Sequence, residues 1–128
     1  MAKILLVEDE AHIIRIMSLW LDRHGYTIFE AANGEEALAI LDRESVDVII
    51  SDLNMPVMDG FELVRVVREE RGLQIPYLLL SARCDQQKLA ERLKPYDVNL
   101  YPKPFAPSRL VAEIKRLLGS PTEEMSSP

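Results

Sequence analysis

Asp52 closes the apolar run Val46-Asp47-Val48-Ile49-Ile50-Ser51 and is followed at once by Leu53-Asn54-Met55-Pro56-Val57-Met58-Asp59-Gly60. A hydrophobic strand that stops at a carboxylate, followed by a Pro- and Gly-containing turn, sets that carboxylate at the carboxyl edge of a sheet. Open α/β folds build their sites there. Glu8 and Asp9 follow Ile4-Leu5-Leu6-Val7, Ser81 follows Tyr77-Leu78-Leu79-Leu80, and Lys103 follows Asn99-Leu100-Tyr101-Pro102. Carboxylates held together repel unless protons or a cation neutralise them, and hard oxygen donors favour Mg²⁺ or Mn²⁺. A Mg²⁺ held by one or two carboxylates keeps positions for waters and a phosphoryl oxygen. In such a site Asp52 can act as a nucleophile and form an acyl phosphate. Lys103 offers a point charge to phosphoryl oxygens, and the Ser81 hydroxyl can hydrogen-bond one of them.

Each residue taken alone has a plainer role. Glu8 and Asp9 suit a helix amino terminus, Asp52 an Asx turn before Pro56, Ser81 a helix cap, and Lys103 a solvated surface. Their shared position at four strand ends in one alternating pattern is what favours a common site.

The elements that must present them alternate between strand and helix periods, the pattern of a parallel sheet covered on both faces. Ile4 to Val7 is a continuous apolar run, as a strand buried on both faces requires. Ile13, Met17, Trp20 and Leu21 form a helical core stripe that Gly25 ends. Tyr26 to Ala31 reads as the second strand, and Asn33-Gly34 turns into a helix bearing Ala37, Leu38, Ile40 and Leu41. Val46 to Ser51 is the third strand. Phe61, Leu63, Val64, Val66 and Val67 mark a third helix that ends near Gly72, and Pro76 opens the fourth strand. Asp85 to Leu93 is a more polar helix and Val98 to Tyr101 a short fifth strand. Leu110, Val111, Ile114, Leu117 and Leu118 form the buried face of the last helix. Residues 1–118 therefore read as one domain, and 119–128, rich in Ser, Pro, Thr and Glu, as a disordered tail or truncated linker.

The 128 residues are 48% hydrophobic, enough for a core without disulfides, and the single cysteine, Cys84, reads as an incidental thiol in a reducing compartment. Fifteen Lys and Arg against 21 Asp and Glu give a net charge of -6, which disfavours direct nucleic-acid binding by this domain. No apolar stretch approaches the roughly 20 residues that span a bilayer, and a cytoplasmic protein with no membrane contact is expected.

Leu6-Val7-Glu8-Asp9-Glu10, Ser51 through Gly60, Leu80-Ser81-Ala82 and Pro102-Lys103-Pro104-Phe105 resemble, in order and spacing over residues 3–118, the four signature segments of response-regulator receiver domains of two-component signalling. The resemblance implies a flavodoxin-like, doubly wound five-stranded parallel sheet of order 2-1-3-4-5 with five helices. Flavodoxin itself and a chemotaxis regulator share that topology. It further implies Asp52 as phosphoacceptor, Asp9 as direct metal ligand and Glu8 acting mainly through water. Asn54 would contribute its backbone carbonyl, Ser81 the switch hydroxyl and Lys103 the phosphate-sensing cation, with a cis Lys103-Pro104 peptide. The implied cofactor is Mg²⁺ or Mn²⁺. The implied partner is a sensor histidine kinase or histidine phosphotransfer protein, and a phosphorylation-dependent homodimer is a further candidate.

The expected activity is that of a stand-alone switch that catalyses its own phosphorylation and dephosphorylation and is otherwise no enzyme. Arg83 and Asn54, two residues beyond Ser81 and Asp52, are expected to control the attacking water, with Arg83 covering the phosphoryl group. Receiver domains usually carry an aromatic three residues before the lysine. Here that position is Leu100 and the aromatic is Tyr101, so a small response is expected on the face between the fourth helix and fifth strand. Pro95 should end the fourth helix early. Ile16 and Leu19, with Trp20 at the edge, form a candidate docking face beside the Asp52 edge.

Three rival readings remain. A Mg²⁺-dependent aspartyl-phosphate phosphohydrolase needs an acid where Asn54 stands, and a cap domain. A flavodoxin needs a phosphate-cradling loop where Glu8 and Asp9 stand. A receiver cut from a larger DNA-binding regulator carries the same site.

Overall fold

A computed structural model describes residues 2–82, 85–103 and 106–118. Arg83, Cys84, the Lys103-Pro104 peptide, Phe105 and the segment 119–128 lie outside the described residues.

The strands are β1 (Lys3–Val7), β2 (Thr27–Ala31), β3 (Val48–Asp52), β4 (Tyr77–Ser81) and β5 (Asn99–Pro102). The helices are α1 (Ala11–Arg23), α2 (Gly34–Arg43), α3 (Gly60–Arg65), α4 (Gln86–Leu93) and α5 (Pro107–Leu118). All strand pairs are parallel and the order is β2-β1-β3-β4-β5, the flavodoxin-like arrangement expected. The side-chain period of two divides each central strand between two cores. Leu5, Val7 and Ile49 pack on one face with Ala37 and Ile40 of α2, Leu63 and Val64 of α3, and Leu89 and Leu93 of α4. Ile4, Leu6 and Ile50 pack on the other with Met17 and Leu21 of α1 and Leu110, Val111 and Ile114 of α5.

Local chemistry starts the helices that matter to the site. Asn33 caps α2 by accepting from the Glu36 amide at 2.9 Å, while the Glu36 carboxylate accepts from the Ala32 amide. Asp59 caps α3 by accepting from the Glu62 amide at 2.9 Å. Each cap satisfies amides that a helix start otherwise leaves bare.

Several boundaries differ from the sequence expectation. β3 begins at Val48, because Asp47 turns aside to accept the Lys3 amide on its carboxylate, and it runs through Asp52. β2 begins at Thr27 and β5 at Asn99. α3 continues into a π turn, Val66–Glu70, and α4 into a 3-10 turn, Lys94–Tyr96, that contains Pro95 and ends at Asp97 in left-handed conformation (φ +53°). Trp20 is not in the core stripe. Met17 and Leu21 are buried, but Trp20 is 36% exposed, because α1 carries more apolar residues than the sheet face can cover. Leu117 and Leu118 are half-buried.

β3 and β4 are also joined between side chains: the Ser51 and Tyr77 hydroxyls lie 2.8 Å apart, both residues fully buried. Burial pushes the Tyr77 phenol up, opposed by its bond to Ser51. Tyr77→Phe leaves the Ser51 hydroxyl buried without this partner, and a loss of about 1–2 kcal/mol of unfolding free energy is expected. Urea denaturation with an unchanged midpoint would show that the pair contributes nothing.

Candidate functional site

Parallel pairing sets the strand ends level. Val7 is opposite Ser51, Asp52 opposite Leu80 and Ser81 opposite Pro102, so the residue that follows each strand emerges at one edge. Glu8 is fixed by its amide, which donates to the Ala31 carbonyl at 3.0 Å, and Lys103 by its amide on the Ser81 carbonyl at 2.8 Å. Neither Glu8 nor Asp9 is the cap of α1. That position is Glu10, whose own amide donates to Glu8 at 3.3 Å.

At this edge the Lys103 ammonium lies 2.7 Å from an Asp52 carboxylate oxygen and 3.6 Å from Glu8. Glu8, Asp9 and Asp52 each offer an oxygen within 4.8 Å of the others; Glu8 and Asp52 are buried and Asp9 is exposed. Burial pushes the Glu8 carboxyl up, and the Asp52 charge pushes it further, against the pull of Lys103. Burial likewise raises Asp52, and the hydrogen bond and charge of Lys103 only partly offset it. Burial works to lower Lys103, but its bond to Asp52 and the charges of Asp52 and Glu8 outweigh that and hold it above the usual ammonium range. The edge thus holds three carboxylates against one ammonium, a donor set of hard oxygens suited to a divalent cation.

Ser81 is fully buried at the end of β4. Asn54 is exposed in the loop after Asp52. That loop is drawn tight: the Leu53 amide donates to the Leu80 carbonyl at 2.9 Å and the Gly60 amide to the Leu53 carbonyl at 2.8 Å. A Cβ on Gly60 would sit 2.7 Å from Leu53 Cα and 2.8 Å from the Asp52 carbonyl, so only glycine lets α3 start this close to the acid. Gly34 matters similarly, since a Cβ there would meet Met58 Sδ at 2.7 Å. The sequence analysis missed both contacts; the Asn-Gly and Asp-Gly pairs before two helices were the signals available.

Leu100 and Tyr101 face opposite ways. Leu100 packs on the core beneath α2, α3 and α4, and Tyr101 on the core beneath α1 and α5. The Tyr101 hydroxyl bonds to Glu113, and Arg116 donates to that hydroxyl at 3.1 Å and to Glu113 at 2.9 Å. The displaced aromatic is thus tied to α5, on the other side of the sheet from Leu100. On α1, Ile16 is 48% exposed, Leu19 52% and Trp20 36%, and Trp20 stacks on His24 with ring centroids 6.4 Å apart. The candidate docking residues therefore form one exposed apolar group on a helix that starts directly after Glu8 and Asp9.

The class that this fold and site define is a doubly wound α/β domain with a carboxylate cluster and a lysine at the carboxyl edge of its parallel sheet. The family profile "Response regulator receiver domain" matches residues 4–115, and the chain belongs to that family. Receiver domains bind Mg²⁺ through acidic residues and work with histidine kinases.

Among its relatives is the transcriptional regulatory protein ResD of Bacillus subtilis, 37% identical over 116 residues, covering 91% of this chain and 48% of ResD. The alkaline phosphatase synthesis transcriptional regulatory protein PhoP of the same organism is 32% identical, covering 98% of this chain and 54% of PhoP. The chain spans about half the length of the curated relatives it matches. Among solved structures, the chemotaxis response regulator CheY4 of Vibrio cholerae has 39% identity and a TM-score of 0.83, over 92% of this chain and 99% of that one. A receiver domain of a histidine kinase from Syntrophus aciditrophicus has 31% identity and a TM-score of 0.83, over 100% of this chain and 98% of that one. Among the described residues no helix is long and apolar enough to cross a membrane.

Within the loop, the Met58 amide donates to the Pro56 carbonyl at 2.7 Å across Val57, which has φ +70°. This is the strained, positive-φ form of the γ-turn, and a β-branched residue suits it poorly. Val57 is 73% exposed, so little packing offsets the strain. Val57→Asn is expected to raise the unfolding free energy by about 1 kcal/mol, since Asn tolerates positive φ. A denaturation midpoint below that of the parent chain would refute the strain.

Proposed function

We propose that this receiver domain is a phosphorylation-dependent switch that takes a phosphoryl group onto Asp52 from a phosphohistidine of a sensor histidine kinase or histidine phosphotransfer protein. The observation that carries the reading is the Lys103 ammonium 2.7 Å from Asp52 and 3.6 Å from Glu8, at the edge where three carboxylates converge. An Asp52 oxygen attacks phosphorus in line, and the O–P bond forms as the P–N bond breaks. The bonding pair returns to the imidazole nitrogen of the donor. Lys103 then exchanges its contact with Asp52 for one with a phosphoryl oxygen, and the Ser81 hydroxyl donates to another. Glu8, Asp9, Asp52 and the Asn54 carbonyl would hold Mg²⁺ or Mn²⁺, with Glu8 acting mainly through water. The bound ion neutralises charge on the phosphoryl oxygens.

The switch is reset when water attacks phosphorus as the Asp52 O–P bond breaks, which returns the bonding pair to the carboxylate and releases inorganic phosphate, with Asn54 and Arg83 governing the access of that water. Leu100 in place of an aromatic removes the usual ring rotation from the response. The receiver is either free-standing or joined to a DNA-binding effector, and the half-length coverage of the transcriptional regulatory proteins ResD and PhoP supports the second. The length of the native polypeptide in its cell of origin separates these two. The exposed group Ile16, Leu19 and Trp20 is the docking face for the phosphodonor, because it lies on the helix that opens at the site. A phosphorylation-dependent homodimer is read out by the change in native mass on phosphorylation.

With Mg²⁺ and acetyl phosphate, mass spectrometry is expected to find a single phosphoryl group on Asp52 and none in Asp52→Ala. Undiminished labelling of Asp52→Ala would overturn the assignment. Mg²⁺ at about 100 times its dissociation constant should add roughly 2.7 kcal/mol to stability. In Asp9→Asn the Mg²⁺ affinity should fall at least about tenfold, and a titration matching the parent would remove Asp9 from the ligand set.

Docking is tested by Ile16→Ser combined with Leu19→Ser. Phosphotransfer from the cognate kinase should slow at least about tenfold, the equivalent of losing about 1.4 kcal/mol of interface contact, while labelling by acetyl phosphate is unchanged. Equal transfer rates with the fold intact would place docking elsewhere.

A further inference from the structure

Arg68 is buried, 8% exposed, and its hydrogen bonds run to main-chain carbonyls from two separate segments, the stretch before β4 and the turn before β5. Nε donates to Tyr96 at 2.7 Å, Nη1 to Leu73 and Ile75 at 2.8 Å each, and Nη2 to Asp97 at 3.0 Å. Burial pulls the guanidinium's pKa down, with Asp97 and Tyr77 opposing. Four directed bonds compensate the desolvation of a group that stays protonated in proteins.

The backbone explains how a cation reaches this depth. Val66, Val67 and Arg68 are buried in succession, which the face of a regular α-helix does not allow. The π turn adds a residue to the helix, with the Arg71 amide bonded to the Val66 carbonyl at 2.9 Å, and turns Arg68 inward. Such turns are found disproportionately at functional positions.

The two ends of this helical segment grip different things. At its start, Gly60 rests on the backbone of Asp52 and Leu53. At its end, Arg68 holds the carbonyls of Tyr96 and Asp97, and the Tyr96 hydroxyl donates to Glu69 at 2.7 Å as a second tether. Asp97, at φ +53°, is two residues from the start of β5. Lys94 and Asp97 also line a groove of about 450 Å³ between α4 and β5. A rigid element that touches the acid at one end and this turn at the other needs no aromatic at position 100 to join them.

We infer that Arg68 is a positioning residue that transmits the placement of α3, and with it the state of the loop after Asp52, to the turn 94–98 and its groove. The inference rests on Asp52 being the phosphoacceptor, and its test separates the two claims. Arg68→Lys keeps the cation but replaces a planar fork by a point charge that cannot reach all four carbonyls.

In the parent chain a beryllofluoride adduct, counted by fluorine NMR, is expected to shift the amide resonances of 94–99 as well as those of 54–60. In Arg68→Lys the adduct should form equally well and shift 54–60 normally, while the shifts at 94–99 fall at least threefold. Once the adduct has formed, equal shifts at 94–99 in both proteins, or none there in the parent, overturn the inference. A second measurement needs no phosphoryl chemistry. Asp59→Ala, which removes the cap of α3, should move the 94–99 resonances when Arg68 is present and not in Arg68→Lys; movement in both overturns it. Relay of Asp59→Ala through Arg68 without any beryllofluoride adduct would refute the phosphoacceptor and leave the positioning role standing.

Discussion

Three carboxylates at one sheet edge can remain ionised only if something positive stands among them, and the arrangement of this molecule follows from that demand. Lys103 meets it from the end of β5, reaching both Asp52 and Glu8. The acids come from β1 and β3 and the ammonium from β5, with β4 lying between β3 and β5. The register of the whole sheet therefore decides whether charge balance is reached. A slip of one residue in β4 or β5 would turn each side chain to the other face and carry Lys103 out of reach. The apolar runs of the central strands, the buried Ser51–Tyr77 contact and the two cores all serve to forbid that slip.

The charge balance is also provisional. Burial pushes both Glu8 and Asp52 upward in spite of Lys103, so the edge in its resting form is electrostatically unsatisfied. Added positive charge would relieve such a site, and its lysine stands where it can meet an anionic group. Holding a short strained loop beside it, with Val57 at positive φ and Gly60 pressed on the Asp52 carbonyl, keeps the geometry narrow. Stability is given up locally to hold those groups in place.

Much of this edge was legible in the sequence because its signals are local. Asp52 and the pair Glu8-Asp9 interrupt apolar runs, and an interruption at a strand end has one geometric meaning in a parallel sheet. The parallel sheet was expected from the same alternation, and its strand order from the family resemblance. What escaped was nonlocal. Trp20 looks like core by helical spacing, and only the width of the sheet face sends it to the surface. The bond of Tyr101 to Glu113 and Arg116 joins residues 12 and 15 positions apart, across a loop and onto a helix face, beyond any periodicity. Arg68 carries no signal in the helical pattern, and its burial depends on a π turn that no propensity announces.

The surface position of Trp20 has an optical consequence. It is the chain's one tryptophan, and it stands on α1 against His24 while Leu53 occupies the place next to Asp52. Its emission therefore samples the solvent and the imidazole over the outer face of α1. The protein carries a built-in fluorophore that reports on whatever touches the outer face of α1.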